Sequence, residues 1–236
     1  MSREALEDFA ALKGFLKSFS YDALLADRAY EDILRGVHRH HLALLTALAE
    51  LSTSETPLGR QFLADYGTVG LTYLSEVGSD CSEFVLAIAS GMFRAAGMTL
   101  RSSIESFAKS MSVADHPEVL KQTSVPSVFE IAEESAFFLS AIPNHAFSGL
   151  RAVYAELNHF AHTVGEPNIF GAHSAGSFPY SSDTTAKLAS LFAKVVRGYL
   201  VALVGGRRDL FDQFDHRNKA IVVASLTKPQ RRLVFG

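Results

Sequence analysis

Apolar side chains recur at three- and four-residue steps along almost the whole chain, and that period belongs to helices with one buried face. Leu6, Phe9, Ala10, Leu12, Phe15, Leu16 and Phe19 set it at the start, and Leu24, Leu25, Ile33, Leu34, Val37, Leu44, Leu45 and Leu48 continue it through Tyr21 to Leu51. No stretch alternates apolar and polar residues between hairpin signals, no heptad is sustained and no segment repeats. The pattern predicts an all-α fold.

Breaks in the period place the elements. Ser52-Thr53-Ser54-Glu55-Thr56-Pro57 is a polar interruption with a proline set for a new helix start. After Leu58 to Val77, Gly78-Ser79-Asp80 reads as a C-cap glycine followed by an N-cap. Residues 81–112 form the longest apolar run. Gly91 and Gly97 within it each cost about 1 kcal/mol of helix propensity, so they mark a break or a close helix contact. Ser127-Val128-Phe129-Glu130 has the spacing of a capping box and opens a helix to about Ser140. Pro143 separates it from a helix over roughly Ala146 to Thr163. Residues 164–182 are rich in Gly, Ser, Pro and His and have no period, a length of connection that is often functional. Ser182 or Asp183 caps a last strong helix through Leu203, stopped by Gly205-Gly206. The tail is expected to hold one short helix over Arg207 to His216, ending in a mobile basic stretch, Lys228 to Arg232. The divisions are an N-terminal helical extension over 1–56, a bundle over 57–204, and a short helix and tail over 205–236.

At 236 residues, 48% hydrophobic and 20% charged, the chain can bury one sizeable core. A net charge of −3 excludes the basic coat of non-specific nucleic-acid binders. Cys81 is the single cysteine, so intrachain disulfides are excluded and a reducing cytoplasm is the expected setting. The charged N-terminus has no signal-peptide core. Arg94 interrupts the apolar stretch from Phe84 to Met98, and Val195 to Val204 is short beside the roughly 20 residues needed to span a bilayer. No membrane association is expected.

Two polar motifs stand out on these apolar helices. In Leu100-Arg101-Ser102-Ser103-Ile104-Glu105, Arg101 and Glu105 are four apart and share a helix face. In Tyr154-Ala155-Glu156-Leu157-Asn158-His159-Phe160-Ala161-His162, the residues Tyr154, Asn158 and His162 line one stripe. Large apolar residues flank both, Leu100, Ile104 and Phe107 on one helix and Leu157 and Phe160 on the other. The polar groups are therefore expected at a helix interface, where unpaired atoms are costly.

Leu-Arg-Ser-Ser-Ile-Glu followed by Tyr-x-x-Leu-Asn-x-x-x-His-Thr, across roughly residues 70–204, resembles the HEPN superfamily. These are nucleotide-binding and ribonuclease helical bundles frequent in abortive infection, toxin–antitoxin and other antiphage systems. The resemblance implies an antiparallel bundle and a homodimer or a complex with a defence-system protein. Catalytic members carry an Arg, then usually a polar residue, with four to six residues between the Arg and a His. Asn158 and His162 match the polar residue and the His, whereas Leu157 stands at the Arg position. The implied site is His162, Arg101 and Asn158 as catalytic residues, with Glu105, Tyr154 and His173 in binding. Two functions follow. The first is a module that binds RNA, a nucleotide or a partner protein without efficient catalysis. The alternative is a metal-independent ribonuclease in which His162 is the acid/base and Arg101 contacts phosphate. Neither requires a cofactor.

Other constellations are weaker. Arg35-Gly36-Val37-His38-Arg39-His40 also satisfies Arg-x4-His, and it reads as a solvated, positively charged helix face. His38 and His41 share a face, but zinc needs further ligands, which only distant residues such as His145 or His173 would supply. No nucleophile elbow, P-loop or dinucleotide fingerprint is present. His173, Ser174, Ser177, Tyr180, Ser181 and Ser182 make the long loop a candidate lid or partner-binding loop beside His162. Eighteen phenylalanines without a tryptophan suggest apolar surface for self-association.

Overall fold

The computed structural model describes residues 3–17, 25–53, 55–161 and 181–236. Among them every regular element is helical: α1 (Arg3–Lys17), α2 (Arg28–Ser52), α3 (Pro57–Ala89), α4 (Phe93–Ser112), a 3-10 turn (Pro117–Lys121), α5 (Val125–Glu134), α6 (Ala136–Leu139), α7 (Ala141–Ala161), α8 (Ser182–Gly206), α9 (Arg208–Phe211), α10 (His216–Ser225) and α11 (Lys228–Phe235). The all-α expectation is met.

The apolar period becomes one core because α8 is flanked by α2, α4 and α7. Leu188, Leu191, Phe192, Val195, Val196, Tyr199, Leu200 and Leu203 are all buried on α8, a stripe wide enough for three neighbours. Phe84 of α3 stacks on Phe192 with ring centroids 4.5 Å apart. The Tyr199 hydroxyl, deep in this core, shares a 2.8 Å hydrogen bond with Ser103 of α4. By length and composition α8 would cross a membrane, yet most of its apolar window is buried inside the fold. Residues of α2 such as Val37, Leu44 and Leu51 belong to the same cluster, while Phe9, Leu16, Tyr30, Leu34 and Ala89 form a smaller one beneath α1. The phenylalanines are mostly spent inside: among the described residues only Phe15 is both a phenylalanine and a large exposed apolar side chain.

Several boundaries differ from the sequence reading. The helical run begun at Pro57 kinks at Gly67, whose φ is 70°, and does not stop at Gly78; it continues to Ala89. Gly78 is small because α2 lies against it, a Cβ there falling 3.1 Å from Leu48 Cδ1. Asp80 is consequently a mid-helix, buried residue and not a cap. The turn comes at Gly91, whose φ of 72° is the left-handed conformation open to glycine at little cost. Ser124, not Ser127, caps α5, its hydroxyl accepting from the Ser127 amide. The tail is ordered. Asp215 caps α10, and Thr227 with Gln230 forms a capping box at the start of α11, so the basic end is helical where a mobile stretch was expected.

Candidate functional site

Gly97 lets α4 approach α7 closely: a Cβ at Gly97 would lie 2.6 Å from Phe160 Cβ. One turn further along α4, Arg101 meets Tyr154 of α7. The Arg101 guanidinium donates to the Tyr154 hydroxyl at 2.6 Å and lies 4.7 Å from the ring centroid. That hydroxyl in turn donates to Glu105 Oε1 at 2.8 Å. The pair expected from the Arg101–Glu105 spacing is thus linked through a phenol from a second helix. Burial and the adjacent Glu105 carboxylate push the Tyr154 hydroxyl up to about 12, so it stays protonated at physiological pH.

A third helix completes the seam. Asp80 of α3 is 7% exposed, and burial pushes its carboxyl up to about 6. The Ser102 hydroxyl opposes that shift, while Glu76, Glu83 and Glu105 add to it. Glu76, Asp80 and Glu83 are spaced by four and three on α3 and so share a face. Asn158, one turn beyond Tyr154, lies on the same stripe of α7. Three buried side-chain atoms of these helices have no hydrogen-bond partner: Asp80 Oδ2, Arg101 Nε and Asn158 Oδ1. Orphaned groups of this kind are rare in native folds.

Of the residues expected in the site, the structure brings Arg101, Glu105 and Tyr154 into direct contact and sets Asn158 on the adjoining turn. His162 and His173 lie outside the described residues, as does the candidate lid up to Tyr180, while Ser181 caps α8, which begins at Ser182. Asp80 escaped sequence reasoning because Gly78-Ser79-Asp80 imitates a helix boundary. Its one signal was the i, i+4 and i+7 spacing of the carboxylates on α3. Leu157 is wholly buried, so the position the resemblance assigns to arginine points into the core.

The Arg35–His40 stretch is not a solvated face. Arg35 is half-exposed and pairs with Glu31 and Asp32, but His38 and His40 are buried. His38 Nε2 contacts Asp8 Oδ2 at 2.7 Å, and His41 Nε2 contacts Ser82 Oγ at 2.9 Å. The two rings therefore serve different neighbours, and no cluster of three or more His, Cys, Asp or Glu among the described residues is arranged to hold a metal. Cys81 is buried, with its thiol pushed far up by burial, which removes it as a nucleophile at neutral pH. No protein-family model, curated protein or solved structure matches the chain.

Proposed function

We propose that this chain is a helical interaction module of a prokaryotic antiphage or abortive-infection system, working by binding a basic segment of a partner protein at the Asp80–Arg101–Glu105–Tyr154 seam. The motif resemblance to HEPN proteins supports the setting, and the same resemblance favours a cytoplasmic, oligomeric protein. The observation that carries the choice of binding over catalysis is the state of Arg101. Its guanidinium is engaged by Tyr154, with Glu105 behind it, and Asp80, Glu76 and Glu83 add negative charge nearby. A phosphodiester would meet more carboxylate than cation there, whereas a Lys or Arg side chain would meet the exposed carboxylates of Glu76 and Glu83 and the half-buried one of Glu105. The burial of Leu157 agrees, since the position that the resemblance gives to arginine on α7 is apolar and turned into the core.

The test pairs a fluorescent lysine-rich peptide with a fluorescent single-stranded RNA of equal length, both titrated with the purified chain at physiological salt. The peptide is expected to bind and the RNA to stay free and intact. Glu83→Gln with Glu105→Gln should weaken the peptide, and Glu133→Gln, whose carboxylate pairs with Arg151 outside the seam, should not. RNA binding or cleavage that is lost in Arg101→Ala or His162→Ala would overturn this reading in favour of the ribonuclease.

A further inference from the structure

A second polar centre lies outside the seam, where α2, α8 and α10 meet. His40 of α2 is 3% exposed, and its Nδ1 lies 2.7 Å from Ser225 Oγ. Its Nε2 faces two guanidinium groups, Arg39 at 3.4 Å and Arg197 at 3.5 Å. Both arginines are donors only, so Nε2 must present its lone pair and Nδ1 must carry the proton given to Ser225. The imidazole is accordingly neutral. Burial, reinforced by Arg197 and Arg39, depresses it to about 3.

Two guanidinium groups thus converge on one neutral ring. Burial lowers the pKa of Arg197, and the like charge of Arg39 lowers it further. Such an arrangement costs the empty protein free energy, and a neutral histidine recovers little of it. Paired guanidinium forks match the oxygens of a phosphate better than those of any other common anion. Arg39 also forms the wall of a groove of about 330 Å³ between α1, α2 and α10. The groove is floored by Leu42, Ala220, Ile221 and Ala224, with Arg217 and Glu4 at its sides. Its size and its apolar floor suit a small molecule and not a polymer.

We propose that Arg39 and Arg197 bind the phosphate group of a small phosphate monoester whose apolar body lies in the groove along Leu42 and Ile221. His40, fixed by Ser225, positions both guanidinium groups. This site is independent of the partner-binding reading of the seam, and its test leaves the seam untouched.

The experiment measures thermal stabilisation and calorimetric binding of the full chain with inorganic phosphate, hexyl phosphate and AMP, against chloride at equal ionic strength. Phosphate is expected to bind, and hexyl phosphate to bind more tightly. Arg39→Gln and Arg197→Gln should each weaken both by roughly ten- to a hundredfold. Removing one of two like charges should at the same time raise the melting temperature of the unliganded protein, a response that a structural ion pair would not give. Ile221→Ser should keep inorganic phosphate binding and lose the advantage of the hexyl chain. Stabilisation by phosphate no greater than by chloride, or binding unchanged in both arginine variants, would overturn the proposal. AMP binding more tightly than hexyl phosphate would overturn the apolar body.

Discussion

The Tyr154 hydroxyl stands between Arg101 and Glu105, accepting from the first at 2.6 Å and donating to the second at 2.8 Å. This one phenol ties α7 to both charged residues of α4. A charge-bearing network of this kind, partly shielded from water, is strongly coupled.

Glu105→Gln is expected to cost about 1–3 kcal/mol, because it takes the carboxylate acceptor from the Tyr154 hydroxyl that Arg101 donates to. Arg101→Met and Glu105→Leu together should cost less than the sum of the two single changes, with a coupling of about 1–2 kcal/mol. Urea unfolding of the four proteins in the cycle provides the check. Additive effects would mean that the network contributes nothing as a unit.

Asp80 is expected to be a liability at neutral pH. Its carboxyl is raised from 3.8 to about 6 by burial first and by neighbouring carboxylates second. A raised folded-state pKa means that the protonated form fits the fold. The stability it provides is full below the unfolded value and is lost as pH rises through about 6. Asp80→Asn should therefore stabilise the protein by on the order of 2 kcal/mol at pH 8. The gain should fade on acidification and vanish below pH 4, as melts across that range would show. A ligand cation at the seam should also erase the gain, by the opposite route of stabilising the ionised form.

His40 and His41 act with the opposite sign. Burial, chiefly, lowers them from 6.5 to about 3 and about 4. Unfolding lets both bind protons, so stability present above pH 6.5 is lost as the pH falls towards those values. Two histidines outweigh the opposite effect of Asp80 between pH 4 and 6, so stability is expected to rise with pH and level off above about pH 6.5. His40→Ala should cost about 2–3 kcal/mol at pH 7 through lost packing and an unpaired Ser225. Arg35→Ala, with half-exposed ion pairs, should stay within about 1 kcal/mol. Chemical unfolding at pH 7 and pH 5 distinguishes them, and equal small effects would contradict the burial of His40.

The seam was legible where the signal was local. The i, i+4 placement of Arg101 with Glu105 and the apolar flanks on α4 and α7 already placed the polar groups at a helix interface. What was not legible came from residues far along the chain. Gly78 looks like a helix stop until Leu45 and Leu48 are seen packed over it, and the burial of Asp80 follows from that continuity. His40 looks solvated because its cover is Ser225, in a tail whose composition suggests mobility. Even there a local sign was present, since Thr227-Lys228-Pro229-Gln230 carries the capping-box spacing and a proline in the first turn. Period and caps are written in neighbouring residues, whereas burial is decided by which helices meet.

Two glycines allow the meeting of α4 and α7 to be tested directly. Gly97 faces Phe160, and a Cβ there would come 2.6 Å from Phe160 Cβ, an atom fixed to the backbone. Gly97→Ala must therefore push the helices apart. A cost of about 1–3 kcal/mol is expected, despite the better helix propensity of alanine. Because Arg101 lies one turn along from Gly97, the separation should also stretch the Arg101–Tyr154 contact and weaken peptide binding at the seam. At Gly149, on the same α7, an added Cβ would meet nothing within 4 Å, so Gly149→Ala should stabilise by about 0.5–1 kcal/mol and leave the seam unchanged. Urea unfolding with the peptide titration reads both effects. Stabilisation by Gly97→Ala would show that α4 and α7 do not pack at the distance that brings Tyr154 to Arg101.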